Sequence, residues 1–166
     1  MKGFGKKSTS KTKNTSNNKT KLSKEEIINK AFKFHSQGNI PEAAKYYKYF
    51  INQGFKHHRV FLNYGIILKN LGKFQEAEIY TLKAVEIKPD FAEAYLNLAN
   101  ISKNLGKLRE AEISLRKAIK IKPDLAEAHS NLGFLFKALG KLREAEVSLR
   151  KAIEIKPYYA NAYYNL

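Results

Sequence analysis

The chain has 166 residues, 43% of them hydrophobic, no cysteine and a formal net charge of +16. That composition supplies a core and excludes a wholly disordered chain, a disulfide framework, thiolate metal sites and cysteine nucleophiles. No run approaches the ~18 apolar residues of a membrane-spanning helix, and the first segment lacks the apolar stretch of a secretory signal, so the reading is a soluble, cytoplasmic protein with no membrane partner.

Residues 1–20 are Lys, Ser, Thr, Asn and Gly around a lone Phe4. Nothing there can offset the entropy of ordering a backbone, which predicts a disordered basic tail. The first 21 residues hold seven lysines and no acid, leaving about +9 on the remainder. Charge of this size attracts acidic protein segments, nucleic acid and anionic membranes alike, so it does not by itself choose a partner.

From Leu22 onward a helical pattern takes over and repeats every 34 residues. Pro89 to Lys122 (PDFAEAYLNLANISKNLGKLREAEISLRKAIKIK) and Pro123 to Lys156 (PDLAEAHSNLGFLFKALGKLREAEVSLRKAIEIK) are identical in most columns. Phe55 to Lys88 fits the same frame, and Lys21 to Gly54 fits it loosely. A fixed period of this length predicts stacked helical hairpins, each touching only its neighbours. The expected units are a divergent first repeat at 21–57, full repeats at 58–91, 92–125 and 126–159, and the start of a fifth at 160–166.

Within the repeat at Ala92, residues Ala92, Tyr95, Leu98, Ala99, Ser102 and Leu105 form one stripe at three-four spacing and predict helix A. Gly106, like Gly38, Gly72 and Gly140, is placed to end that helix in a left-handed conformation. Helix B turns Leu108, Ala111, Leu115, Ala118, Ile119 and Ile121 inward and stops before Pro123, as its equivalents stop before Pro89 and Pro157. Asp90 and Asp124 are expected to N-cap the next helix A, while Pro41 falls in the first turn of a helix B, where its missing N–H is harmless. Ala31, Gly65, Ala99 and Gly133 share one column of helix A, and Ala43, Ala77, Ala111 and Ala145 one column of helix B. Small residues in both columns let the two helices approach closely.

These columns resemble the tetratricopeptide repeat. The matching residues are Tyr95, Leu98, Ala99, Ala111, Leu115, Ala118 and Pro123, then His129, Leu132, Gly133, Phe136, Ala145, Leu149, Ala152 and Pro157. The first repeat departs most, with Lys30, Phe50 and Phe55 at consensus places, as a terminal repeat does. The resemblance implies an all-α, right-handed α-solenoid whose concave face, lined by helices A, holds an extended peptide or a partner helix. It implies no reaction and no cofactor.

Asn29, Asn63, Asn97, Asn131 and Asn165 fall one per repeat at the same place on helix A. An amide offers donors and an acceptor together, so a row of them can hold a peptide backbone without reading its side chains. The repeat array of O-linked N-acetylglucosamine transferases is similar in this ladder and in phrases such as AHSNL, GNIPEA and KPDF. Replacing Asn97 and Asn131 by Ala is expected to weaken partner binding with little effect on stability. Beside the ladder run Lys69, Lys103 and Lys137, with His35 in the same column. If this row edges the groove, the bound segment is acidic or carries phosphate, although a lysine on a helix is ordinarily just a solvated side chain. Lys73, Arg109, Arg116, Lys117, Arg143, Arg150 and Lys151 alternate with Glu76, Glu110 and Glu144 and read as surface pairs.

The carboxylate clamp of chaperone-binding relatives needs Lys and Asn on the first helix A and a basic residue later. The corresponding pairs here are Ile28/Phe32, Leu62/Ile66 or Leu96/Asn100, followed by Glu93/Asn97, Glu127/Asn131 or Asn161/Asn165, and no frame fits. The four histidines are scattered, and LGK lacks the spacing of a phosphate-binding loop. The last seven residues, ANAYYNL, are too few to sustain a helix alone. The apolar edge at Leu149, Ala152 and Ile153 is therefore expected to be uncapped, which suits either a piece of a longer protein or self-association through that edge. The function expected is a protein-interaction scaffold. The alternatives are the substrate-recruiting arm of a glycosyltransferase or other modifying enzyme, and an RNA-binding helical repeat, the last weakened by the lack of an aromatic column for base stacking.

Overall fold

The structure, a computed structural model, describes residues 22–166, and the tail expected over residues 1–20 lies outside the described residues. Ser23 opens α1 (Lys24–Ser36) with a capping box: its hydroxyl accepts from the Glu26 N–H at 3.2 Å and its own N–H donates to Glu26 Oε2 at 2.8 Å. Asn39 opens α2 (Ile40–Asn52) with a one-way cap, its side chain accepting from the Glu42 N–H at 3.4 Å, with Pro41 in the first turn. The hairpins α3 (His58–Asn70) with α4 (Phe74–Ile87), α5 (Ala92–Asn104) with α6 (Leu108–Ile121), and α7 (Ala126–Ala138) with α8 (Leu142–Ile155) follow, then the short α9 (Ala160–Asn165). All regular structure among the described residues is helical. Each helix packs mainly on its hairpin partner and then on the next helix in order, and α3 also meets α5 and α7 meets α9. The molecule is an all-α solenoid of helix–turn–helix repeats, with the odd-numbered helices side by side on one face.

Four positive-φ glycines make the hairpin turns alike. Gly106 stands at φ 73°, its N–H donating to Lys103 O at 3.1 Å while the Lys107 N–H reaches back to Ser102 O at 2.8 Å. This is the paired C-terminal closure that a residue with a Cβ would strain. The expected caps Asp90 and Asp124 do not cap. The residues entering α5 and α7 are Phe91 and Leu125, with no side-chain cap bond. The aspartates sit one residue too early because the chain leaves Pro89 and Pro123 in a tight turn, and the position before the helix goes to an apolar side chain packed on the core.

Close approach within hairpins follows from the small columns. A Cβ on Gly65 would lie 2.5 Å from Thr81 Oγ1, and one on Gly133 would lie 2.6 Å from Leu149 Cγ. In the first hairpin the bulk lies elsewhere: Phe50 and Tyr47 are both fully buried, and Phe50 meets Phe55 at 5.3 Å between ring centres. Two aromatic rings thus fill the space that Ala84 and Pro89 leave in the next repeat. At the other end α9, though only six residues long, is held by tertiary contact. Ala162 and Tyr159 pack on Leu149 and Ala152, which are 1% and 0% exposed. Those two positions are therefore covered, contrary to the open edge expected from the sequence, because packing rather than length sustains a short helix.

Where α1 meets α3, His57 stacks on His58 with ring centres 4.8 Å apart and turns an edge to Phe32 at 5.9 Å. Its Nδ1 is buried without a partner. Burial, then His58, Arg59 and Lys24, holds the His57 pKa below its ordinary value, and burial with Lys88 and Arg59 does the same for His58 against a smaller opposing pull from Asp90. With both pKa values lowered by folding, the folded chain binds these protons less readily than the unfolded chain, so stability present above about pH 6.5 is lost as pH falls below it. Thermal melts should show Tm falling between pH 7.5 and pH 5.5. His57→Phe should flatten that fall and raise stability at pH 7 by about 1 kcal/mol, since it removes an unsatisfied buried nitrogen. A pH profile unchanged by the substitution would assign the dependence elsewhere.

Candidate functional site

The face formed by the odd-numbered helices carries the asparagine ladder, and its members do not share one environment. Asn97 is 5% exposed and its Nδ2 donates to Thr81 Oγ1 at 3.0 Å, tying α5 to α4. Thr81, itself fully buried, donates to Ala77 O at 2.8 Å, so the bond closes a buried chain rather than facing a groove. Asn63 is half-buried and donates to the Tyr47 hydroxyl at 3.0 Å. In both cases the acceptor is the helix-B residue 16 positions earlier. At the next two steps that place holds Leu115 and Leu149, which accept nothing. Asn131 turns instead to Asn100 and donates to its Oδ1 at 3.2 Å. Asn165 closes on its own helix, donating to Asn161 O at 2.6 Å. Asn29 is exposed.

The residue opposite therefore decides what each amide does. Where helix B offers a hydroxyl, the amide serves the hairpin stack, and a variant at Asn97 carries a stability cost that a purely ligand-facing side chain would not. Where helix B offers leucine, the amide is left on the surface. Between α5 and α7 the result is a pair of half-buried amides, Asn100 and Asn131, whose single mutual bond leaves Asn100 Nδ2 and Asn131 Oδ1 without partners among the described residues. One donor and one acceptor side by side match the N–H and C=O of an extended chain. Asn100 escapes the ladder pattern in the sequence. The signal that would have found it is its column, where the other repeats hold Phe32, Ile66 and Phe134.

The lysine row borders this pair. Lys103 is exposed and its ammonium lies 4.9 Å from the centre of the Phe134 ring, across the same junction. Lys137 is exposed and donates to the backbone carbonyl of Asn165 at 3.1 Å, while Lys69 is half-buried. His35, first in the column, bonds through Nδ1 to the Tyr47 hydroxyl at 2.8 Å. Burial raises the pKa of that phenol, against the lowering effects of Asn63 and Arg59, and keeps it neutral. On the helices B and their turns, Glu112 and Glu146, not Glu110 and Glu144, take the arginines: Arg116 at 2.9 Å and Arg150 at 2.8 Å. The i,i+4 spacing selects those partners over the nearer-looking ones. Lys107 reaches across one repeat to Glu78 at 2.7 Å. No helix among the described residues is long and apolar enough to cross a membrane.

Family models described as tetratricopeptide repeat match residues 58–91, 92–125 and 126–159. None of the curated proteins matches the chain. Among solved structures, YrrB, described as a tetratricopeptide repeat protein with an unusual peptide-binding site, superposes with a TM-score of 0.77 at 22% identity, over 86% of this chain and 73% of its own. MamA gives 0.76 at 23% identity, over 86% and 78%. The first tetratricopeptide repeat domain of Spaghetti (RPAP3), bound to the HSP90 peptide SRMEEVD, gives 0.64 at 26% identity, over 66% and 86%. Matched over most of its length and built of hairpins joined by the same glycine turn, the chain belongs to the tetratricopeptide repeat family.

Proposed function

We propose that this protein is an interaction scaffold that holds an extended segment of a partner protein in the groove formed by α3, α5, α7 and α9. The observation that carries this reading is the Asn100–Asn131 pair, which offers an unpaired donor and an unpaired acceptor on a surface where the amides of Asn63, Asn97 and Asn165 are already bonded. Lys69, Lys103 and Lys137 edge the groove and favour a segment rich in acid. Asn63 and Asn165 contribute at its two ends, and Asn97 acts from beneath by fixing α5. Peptide binding by the Spaghetti domain supports the reading, since the two chains share this architecture.

Peptides selected on the full chain from a random-peptide display library test it. In the Asn100→Ala, Asn131→Ala double variant, two backbone hydrogen bonds of about 1 kcal/mol each are lost, so affinity for the selected peptides should fall by about 10–30-fold. Helicity and Tm should stay near those of the parent, because neither amide is tied to a buried partner. Peptides that bind the double variant as tightly as the parent would sink the groove reading.

A further inference from the structure

The junction of α1, α2 and α3 differs from every later one. A cavity of about 560 Å³ opens there, with Phe32 and Tyr47 forming its wall and Lys33, His35, Arg59 and Asn63 around it. Three of these residues carry or can carry positive charge, and no carboxylate lines the cavity. Neither Lys33 nor Arg59 takes part in an ion pair among the described residues. The Arg59 guanidinium lies over the Phe32 ring at 5.0 Å and makes no hydrogen bond among the described residues, which leaves its N–H groups for another acceptor.

The hydrogen-bond order within the cavity adds a neutral donor. The Tyr47 hydroxyl has only Asn63 Nδ2 and His35 Nδ1 as partners among the described residues; with Asn63 donating to its oxygen, the neutral tautomer that satisfies the phenol proton is the one in which His35 Nδ1 accepts it at 2.8 Å. The imidazole proton then sits on Nε2, which has no partner among the described residues, and a charged imidazole carries a proton there as well. One position in particular separates this junction from the next two. The column that holds Arg59 in the second repeat holds Glu93 in the third and Glu127 in the fourth. A group drawn to Arg59 and Lys33 meets a carboxylate at either of those other places, so the same helix spacing attracts an anion at one junction and repels it at two.

We infer that this cavity is a subsite for an oxyanion, the carboxylate or phosphoryl group of a side chain on the partner segment, held by Arg59, Lys33 and His35 Nε2–H against the Phe32 wall. It rests on the reading that a partner segment runs along the groove, and it gives that segment a direction, with an anionic group at the α1–α3 end.

The test uses the full chain and free ions, with no partner. Inorganic phosphate and, separately, acetate are titrated at constant ionic strength while the side-chain resonances of His35 and Arg59 are followed by NMR. Saturable shifts at these two residues, absent at Lys103 and Lys137, are expected, and Arg59→Glu should weaken phosphate binding at least about tenfold. Arg59 is exposed, so helicity and Tm of that variant should match the parent. Saturation by phosphate alone assigns a phosphoryl group, and saturation by both assigns a carboxylate as sufficient. Shifts that rise linearly with salt, appear equally along the lysine row, or survive Arg59→Glu would overturn the subsite. That failure would leave the groove reading standing, because the Asn100 and Asn131 variants test it with peptides alone.

Discussion

Tyr47→Ala is expected to cost about 3–5 kcal/mol, the range for emptying a large aromatic site in a core. The side chain is fully buried, and its ring meets Phe32 edge-on at 6.0 Å and His35 at 5.7 Å between centres. Its hydroxyl joins His35 on α1 to Asn63 on α3. The substitution therefore opens a cavity and orphans two polar groups in one step. For a chain of this size the midpoint should drop by roughly 10 °C. Tyr47→Phe keeps the ring and removes only the hydroxyl, which should cost about 1 kcal/mol. Urea unfolding followed by circular dichroism separates the two. Hydrogen exchange should place the damage in α1 and α2, since a repeat array opens locally. Equal costs for the two variants would mean that the hydroxyl network, not the packed ring, holds the first hairpin.

Gly133→Ala should also destabilise, against the ordinary preference of helices. Alanine in a helix interior is favoured over glycine by about 1 kcal/mol. Here the added Cβ would lie 2.6 Å from Leu149 Cγ, 2.9 Å from its Cδ2 and 3.1 Å from Ala145 O. Leu149 is 1% exposed and the carbonyl belongs to the α8 backbone, so neither can move aside without parting the hairpin. Overpacking of this kind costs about 1–3 kcal/mol and outweighs the propensity gain. Pairing it with Leu149→Ala should give a double variant more stable than the two single losses added together, because the second change removes the clash made by the first. Additivity would show that α7 and α8 separate freely at this point and that glycine is present for another reason.

The Gly133 site shows where sequence reading succeeds. The column of Ala31, Gly65, Ala99 and Gly133 was readable as a close-approach column because a period of 34 residues aligns positions that share one environment. The glycine turns were equally readable, since left-handed backbone has a strong residue preference that does not depend on distant contacts. Asp90 and Asp124 misled, because one residue of displacement separates a cap from a turn, and tertiary packing of Phe91 and Leu125 chose between them.

The candidate site was half legible for the same reason. Period and composition determined the all-helical hairpin stack, the position of each asparagine on helix A and the cationic row beside it. They did not determine what each amide touches. That was decided by the helix-B residue 16 positions back, a hydroxyl at Tyr47 and Thr81 and a leucine at Leu115 and Leu149. Identical letters in a repeat therefore have different chemistry: a hydrogen bond needs a partner at about 3 Å, and only the packing of one hairpin against the next supplies or withholds it.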